Sequence, residues 1–256
     1  MSRPLILITN DDGIHAPGLR NLVTFMLPLG DVVVVAPDKP QSGMGHAITI
    51  SMPLHMQKVK KSHEHSEYSC SGTPVDCVKL AIDKILPRKP DLLVSGINHG
   101  SNSSVNIIYS GTMSAAIEGA MEGVPSIGFS LLDYSYDADF IPAKPYIHAI
   151  CKKVMGEGLP LNTCLNVNFP IMKDGLINGI KVCRQAMASW KEGFDQRKDP
   201  HGRDYYWLTG VFENRDFDPD TDEWALQNGY VSVVPVHYDF TAYQSMQQIK
   251  NWDLNV

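Results

Sequence analysis

Apolar residues in this chain come in short, dense runs separated by polar turns. Leu5 to Ile8 is such a run, and it stops at Asn10-Asp11-Asp12-Gly13. A short apolar run bounded by turn residues predicts a strand buried on both faces. Pro17 can open a helix, because its missing N–H is no loss in the first turn. Helical apolar spacing follows to about Leu29. Val32 to Val35 predicts a second buried strand, closed by Ala36-Pro37. Strand, helix and strand within about thirty residues make a βαβ unit, which crosses over right-handed into a parallel sheet.

The pattern repeats. Thr73-Pro74-Val75-Asp76 starts a helix expected to reach about Leu86, and Asp91 to Ser95 predicts another strand. Ser110-Gly111-Thr112 precedes a small-residue helix, MSAAIEGAMEG, ended by Gly123. Pro125 to Leu131 predicts a strand, Pro142 to Gly156 a helix and Cys164 to Phe169 a strand. The expected fold is therefore an open α/β sheet over about residues 1–178. Ala47 to Tyr68 alternates and predicts a β-hairpin or extended arm. From about residue 179 to 256 the texture is β-rich, with strands expected at Ile180 to Ala186, Tyr205 to Thr209 and Tyr230 to Val236. The charged stretches KEGFDQRKDPHGRD and ENRDFDPDTDEW are expected to be solvated loops or an oligomer contact. Aromatic residues among those charges, such as Trp190 and Trp207, favour the contact. The chain is read as one domain, residues 1–256, with this last part as an extension.

Composition narrows the class. The formal net charge is −6 and no basic stripe is present, which argues against a duplex nucleic acid partner. The five cysteines form no C-x-x-C pair, so free thiols in a reducing compartment are expected. The first apolar run is too short for a membrane span or a signal-peptide core, and a cytoplasmic protein is expected.

Candidate chemistry sits in the loops after the predicted strands, where open α/β sheets hold their ligands. Asp11 and Asp12 are neighbouring carboxylates that repel each other unless a cation lies between them. Hard oxygen ligands of this kind suit Mg²⁺, Mn²⁺ or Ca²⁺. A polar turn that caps a helix is the plainer use of the same residues. The loop Asp38 to His46 carries Ser42 and the glycines Gly43 and Gly45, whose backbone can approach an anion closely. Asn98 offers a side-chain carbonyl to a metal. Ser110, Gly111 and Thr112 place hydroxyls and free N–H groups at a helix N-terminus, a cup of phosphate size. His15, His46 and His99 lie in the same loops; a single loop histidine is usually surface, and His46 is the strongest of the three. No G-x-G-x-x-G follows a strand and no G-x-x-x-x-G-K-[ST] occurs, which argues against a dinucleotide dehydrogenase or a P-loop NTPase.

Five ordered segments, ITNDDGIHAPGL, VVAPDKPQSGMGHAIT, SGTPVDCVKLAI, PDLLVSGINHGSN and YSGTMSAAIEGA, resemble the SurE (survival protein E) nucleotidases. The resemblance is close over about residues 5–131, and Asn166 to Pro170 looks like a further family block. It implies a Rossmann-like three-layer αβα domain with a mostly parallel sheet, a β-hairpin arm and a C-terminal extension used in oligomerisation. It implies a cytoplasmic phosphatase acting on nucleoside 5′- or 3′-monophosphates, with end-cleavage of polyphosphate in some members. It implies one divalent ion, Mg²⁺ or Mn²⁺, held here by Asp11, Asp12, Ser42 and Asn98, with Asp11 and Asp12 as the catalytic pair. The Ser110-Gly111-Thr112 turn would hold phosphate, with Asn10 and Gly43 nearby. A homodimer or homotetramer is the expected assembly. Many members carry a Leu-Gly pair and an acidic residue after the Asn98 loop; this chain reads Ser103-Ser104-Val105-Asn106. That difference bears on substrate preference and metal affinity more than on the reaction. A nucleotide-binding sensor without turnover, or a nucleotide-sugar transferase, would use similar loops.

Overall fold

Alternation along buried strands decides how the layers pack. Residues 3–61, 65–135, 137–171 and 176–254 are described in the computed structural model. Strand β1 (Leu5–Thr9) is buried along its whole length. Ile6 and Ile8 enter one apolar cluster and Leu7 enters another on the opposite face, as the two-residue side-chain period requires. Helices α1 (Pro17–Met26) and α4 (Lys144–Glu157) cover the first face through residues such as Leu19, Leu22, Ile147 and Val154. Helices α2 (Pro74–Leu80) and α3 (Gly111–Met121) cover the second through Cys77, Val78 and Ala115. The expected three-layer arrangement is present.

Strands β2 (Asp31–Pro37), β3 (Met56–Lys61), β4 (His65–Cys70), β5 (Leu92–His99), β6 (Ser126–Leu131), β7 (Thr163–Phe169), β8 (Ile180–Val182) and β11 (Val231–His237) complete a nine-stranded sheet. Its order is β3-β4-β2-β1-β5-β6-β7-β11-β8. The central strands run parallel from β4 to β7; β3 pairs antiparallel with β4, and β11 pairs antiparallel with β7 and parallel with β8. The chain moves outward from β1 to β2 and later returns to the other side of β1 as β5. The order therefore reverses between β1 and β5, and the carboxyl ends of these two strands flank the crevice where such sheets bind ligands.

Several elements differ from expectation. The helix after Pro17 ends at Met26, and the helix after Thr73 gives way at Ala81 to a wider turn, Ala81–Ile85. The hairpin expected within Ala47 to Tyr68 is built by β3 and β4, but it forms the edge of the main sheet rather than a separate arm. The arm is instead β9 (Ala188–Lys198) and β10 (Asp204–Asn214), paired over their full length. It contains the first charged stretch, expected as loop. Both faces of this ribbon are largely exposed, so burial imposes no alternation on its sequence and the usual strand signal is missing. Strand β8 stops at Val182 because Arg184 turns aside to Asp216, Asp218 and Asp220. Strands β8 and β11 come from the expected extension, yet they belong to the same sheet as β1. Helices α5 (Asp222–Gln227) and α6 (Tyr243–Lys250) complete the described elements.

Phe129 lies fully buried in β6 and meets Phe169 at 6.3 Å between ring centroids. Phe129→Ala should destabilise the fold by about 3–5 kcal/mol. Urea unfolding followed by circular dichroism measures it, and a loss under about 1 kcal/mol would contradict this packing.

Candidate active site

At the end of β1 the backbone turns through Asn10-Asp11-Asp12-Gly13. Asn10 is buried and its Nδ2 donates to the Gly13 carbonyl at 3.0 Å, which closes the turn. Asp11 is only 4% exposed. Thr112 Oγ1 donates to its Oδ1 at 2.5 Å. The approach is close because residue 111 is glycine: a Cβ there would lie 2.7 Å from Asp11 Cβ. Burial pushes the Asp11 carboxyl up from its usual range, while the Thr112 hydroxyl and the amides of Thr112 and Gly111 pull it back down. Asp12 is pushed up to about 7, first by burial and then by the Asp11 charge.

The chain brings most of the expected residues together. Asp11, Ser42, Gly43, Asn98 and Ser110 line one cavity of about 210 Å³. The cavity lies at the β1–β5 crevice. Ser42 and Gly43 are exposed on its rim. Gln41 N–H donates to the Asp11 carbonyl at 2.7 Å, which ties that rim to the acidic turn. Asn98 Nδ2 donates to the Gly100 carbonyl at 3.0 Å. Ser110 is the N-cap of α3, its Oγ accepting from the Met113 amide at 3.0 Å.

Other expected residues stand behind the wall. Thr112 and Gly111 face Asp11, so the first turn of α3 holds a carboxylate. Asn10 and Asp12 are not among the cavity-lining residues. His15 is exposed. His46 Nε2 pairs with Glu118 Oε2 at 2.8 Å, and Lys79 reaches the other Glu118 oxygen at 2.5 Å. That buried carboxylate in α3 anchors the glycine loop that carries His46. His99 lines the cavity, packs edge-on against Phe140 at 5.0 Å, and its Nδ1 lies 3.1 Å from the Ser135 carbonyl.

Sequence reasoning missed several lining residues: Ser101, Asn102, Asn106, Tyr109 and Tyr134. The first four fall in the polar loop between Asn98 and Ser110. Tyr134 follows β6, so its place after a strand's carboxyl end was the available signal. The Ser101–Ser104 wall is also clamped from outside the loop. The Asn102 amide donates to Asn168 Oδ1 at 2.9 Å, and Asn166 Nδ2 donates to the Asn102 carbonyl at 2.7 Å. Asp222 Oδ2 accepts from the Ser104 amide at 2.8 Å and holds Ser104 at φ 52°. Glu223 Oε1 is hydrogen-bonded to Ser103 Oγ. No local pattern foretold these two acids from α5. They bring two buried carboxyl groups to the stretch where the sequence lacked an acidic residue.

The donor set fits a hard divalent cation. Asp12 Oδ2 and Asn10 Oδ1 are buried without a hydrogen-bond partner. Two carboxylates stand side by side, and Ser42 and Asn98 offer neutral oxygens. Among the described residues no cluster of three or more His, Cys, Asp or Glu side chains could hold a metal. A softer ion such as Zn²⁺, which prefers His and Cys ligands, is therefore poorly served here.

A doubly wound, mainly parallel sheet with a polar crevice at its switch point defines a Rossmann-like α/β protein, and the acidic turn distinguishes it within that class. The chain belongs to the SurE family: the family model described as "Survival protein SurE" matches residues 6–192. It is 63% identical over 256 residues to the 5′-nucleotidase SurE of Flavobacterium psychrophilum, with 100% of each chain covered. It is also 63% identical to the 5′-nucleotidase SurE of Christiangramia forsetii, covering 99% of this chain and 98% of that one. Among solved structures, the SurE protein from Aquifex aeolicus matches with a TM-score of 0.83 at 43% identity, covering 96% of this chain and 98% of that chain.

The raised carboxyls make a pH prediction. Folding favours the protonated forms of both; the Asp12 contribution to stability is complete below about pH 3.8 and is lost as pH rises through about 7. Asp12→Asn stays neutral throughout. In chelator, it should raise the thermal midpoint by about 3 °C or more at pH 8, with the gain shrinking towards pH 4. A gain that does not change with pH would contradict the buried acidic pair.

Proposed function

We propose that the chain hydrolyses nucleoside 5′-monophosphates to nucleoside and phosphate at the β1–β5 cavity, with activity on 3′-monophosphates and on polyphosphate ends as lesser reactions. The observation that carries this reading is the pair of buried Asp11 and half-buried Asp12, the first pinned against the first turn of α3, beside a cavity rimmed by Ser42, Gly43 and Ser110. The names of the relatives, 5′-nucleotidase SurE, supply the substrate class.

Asp11, Asp12, Ser42 and Asn98 would hold one divalent ion, Mg²⁺ or Mn²⁺. When bound, such an ion supplies charge neutralisation at the phosphate and acidifies water. The remaining work falls to side chains and amides. The Gly43 amide and the Ser110 hydroxyl bind phosphate oxygens, because the Ser110 lone pair is engaged by Met113 N–H and leaves its proton to donate. Thr112 and Gly111 keep Asp11 in place, and Asn10 fixes the turn that carries both acids. One of the two acids, Asp11 at the cavity wall or Asp12 behind it, takes the proton of the attacking water.

Asp11→Asn and Asp12→Asn should each lower phosphate release from AMP by about a hundredfold or more. Release of inorganic phosphate with Mn²⁺, with Mg²⁺ and with excess chelator measures this. Full activity in either variant, or in chelator, would contradict the reading. A sensor without turnover would bind AMP and release nothing.

The β9–β10 ribbon and α6 carry exposed apolar side chains, including Phe194 at 71%, Trp207 at 60% and Tyr243 at 61%. Such a surface suits a second copy of the chain, as a homodimer or homotetramer. Light scattering at micromolar concentration should give a multiple of the 28.4 kDa chain mass; a monomer would end that proposal. Among the described residues no helix is long and apolar enough to cross a membrane, which accords with a cytoplasmic enzyme.

A further inference from the structure

The cavity wall hides a chain of hydroxyls that leads away from the acidic turn. Ser101 lines the cavity, and its Oγ lies 2.5 Å from Ser103 Oγ. Ser103 Oγ is in turn hydrogen-bonded to Glu223 Oε1. Glu223 belongs to α5, is 8% exposed, and stands outside the segment matched by the family model. Three side chains from two distant parts of the sequence thus form a continuous path from a buried carboxyl group to the cavity.

The surroundings decide where a proton sits on this path. Asp222 and Glu223 are adjacent and buried, and among the described residues no Lys, Arg or His forms an ion pair with either. Asp222 accepts from three backbone amides, those of Ser104, Ala186 and Glu223 itself, at 2.8, 2.9 and 2.8 Å. Amide donors favour a charged carboxylate. Glu223 has only the Ser103 hydroxyl, which serves an acid as well as a carboxylate, because a hydroxyl can donate or accept. Burial and the neighbouring Asp222 charge push Glu223 up, while the Ser103 hydroxyl pulls it partly back. Burial raises Asp222 as well, but of the two only Glu223 is bonded to the hydroxyls that reach the cavity.

We propose that Glu223, Ser103 and Ser101 deliver a proton to the leaving oxygen of the nucleotide. This rests on the nucleotidase reading given above. As the bond from phosphorus to the ester oxygen breaks, its electron pair stays on that oxygen. Ser101 passes its hydroxyl proton to the oxygen, Ser103 passes its own to Ser101, and Glu223 passes its own to Ser103. Water supplies the new P–O bond, and its proton is taken first by the acidic turn. That proton returns to Glu223 through solvent in the open cavity once products leave, so the sum is ester plus water to alcohol plus phosphate. Ser101 is the group that touches substrate. Glu223 acts only through the two serines.

The need for such a proton depends on the leaving group. A nucleoside alkoxide is a poor leaving group and requires protonation, whereas a nitrophenolate departs without it. The comparison is therefore AMP against p-nitrophenyl phosphate, in wild type, Glu223→Gln, Ser103→Ala and Ser101→Ala, with the same divalent ion. Each variant should lower the ratio of kcat/KM for AMP to that for the aryl ester by at least tenfold. The loss should fall on kcat for AMP, about a hundredfold, with KM within about threefold. Glu223→Gln should also abolish the decline of AMP turnover at alkaline pH, because glutamine has no proton to lose; Asp222 is the other charged group acting on that site. Equal losses on both esters would overturn the relay and leave Glu223 as a strut for the wall. If Glu223→Gln does not fold by circular dichroism, the two serine variants must still change the ratio, and an unchanged ratio in them overturns the proposal. A wild type that cleaves neither ester refutes the nucleotidase reading itself, and the relay with it.

Discussion

Asp11 meets the first turn of α3, and the rest of the site depends on that contact. A carboxylate 4% exposed cannot remain ionised without partners that replace water. The Thr112 hydroxyl and the amides of Gly111 and Thr112 provide them. Glycine at 111 is a condition of the arrangement, since any side chain would occupy the space of the aspartate. Two residues of the turn expected to hold phosphate, Gly111 and Thr112, also meet this acid. They hold one acid rigidly, while the neighbouring acid keeps an oxygen without a partner. Rigidity on one side and an unsatisfied oxygen on the other suit a centre that must bind a cation and handle a proton.

The cavity is supported by carboxylates on two sides, in two different ways. On one side Glu118 is paired with Lys79 and His46, and this ties α2, α3 and the glycine loop together. On the other side Asp222 and Glu223 form no ion pair among the described residues and take hydroxyl and amide donors instead. The first arrangement lowers the Glu118 carboxyl and keeps it charged, so it serves as a strut. The second raises both carboxyls and leaves a proton to be shared. Burial is common to the two; the presence or absence of a basic partner separates them.

The exposed ribbon of β9 and β10 is the least local part of the fold. Its two strands pair with each other along their full length and, among the described residues, with no third strand. Its apolar side chains remain in solvent, which is costly for a lone chain and reasonable for one that meets another copy. Trp190 Nε1 donates to Asn106 Oδ1 at 2.7 Å, so the base of the ribbon touches a residue of the cavity wall. The ribbon and the cavity wall are thus joined through one side-chain contact.

The sequence alone determined the sheet and one half of the site. Strands such as Leu5–Thr9 and Ser126–Leu131 are buried on both faces, and continuous apolar runs of that length have few other uses. The acidic turn, Ser42 and Asn98 were legible because strand ends in such sheets are where polar loops gather. The tertiary structure alone decided what those loops face. Thr112 turns to Asp11 rather than to the cavity, and the Ser103–Ser104 wall is held by acids more than a hundred residues further along the chain. The ribbon was illegible because a strand exposed on both faces leaves no hydrophobic period. The α5 carboxylates were illegible for a different reason: proximity across the fold is set by packing, and packing writes no pattern into the local order of residues.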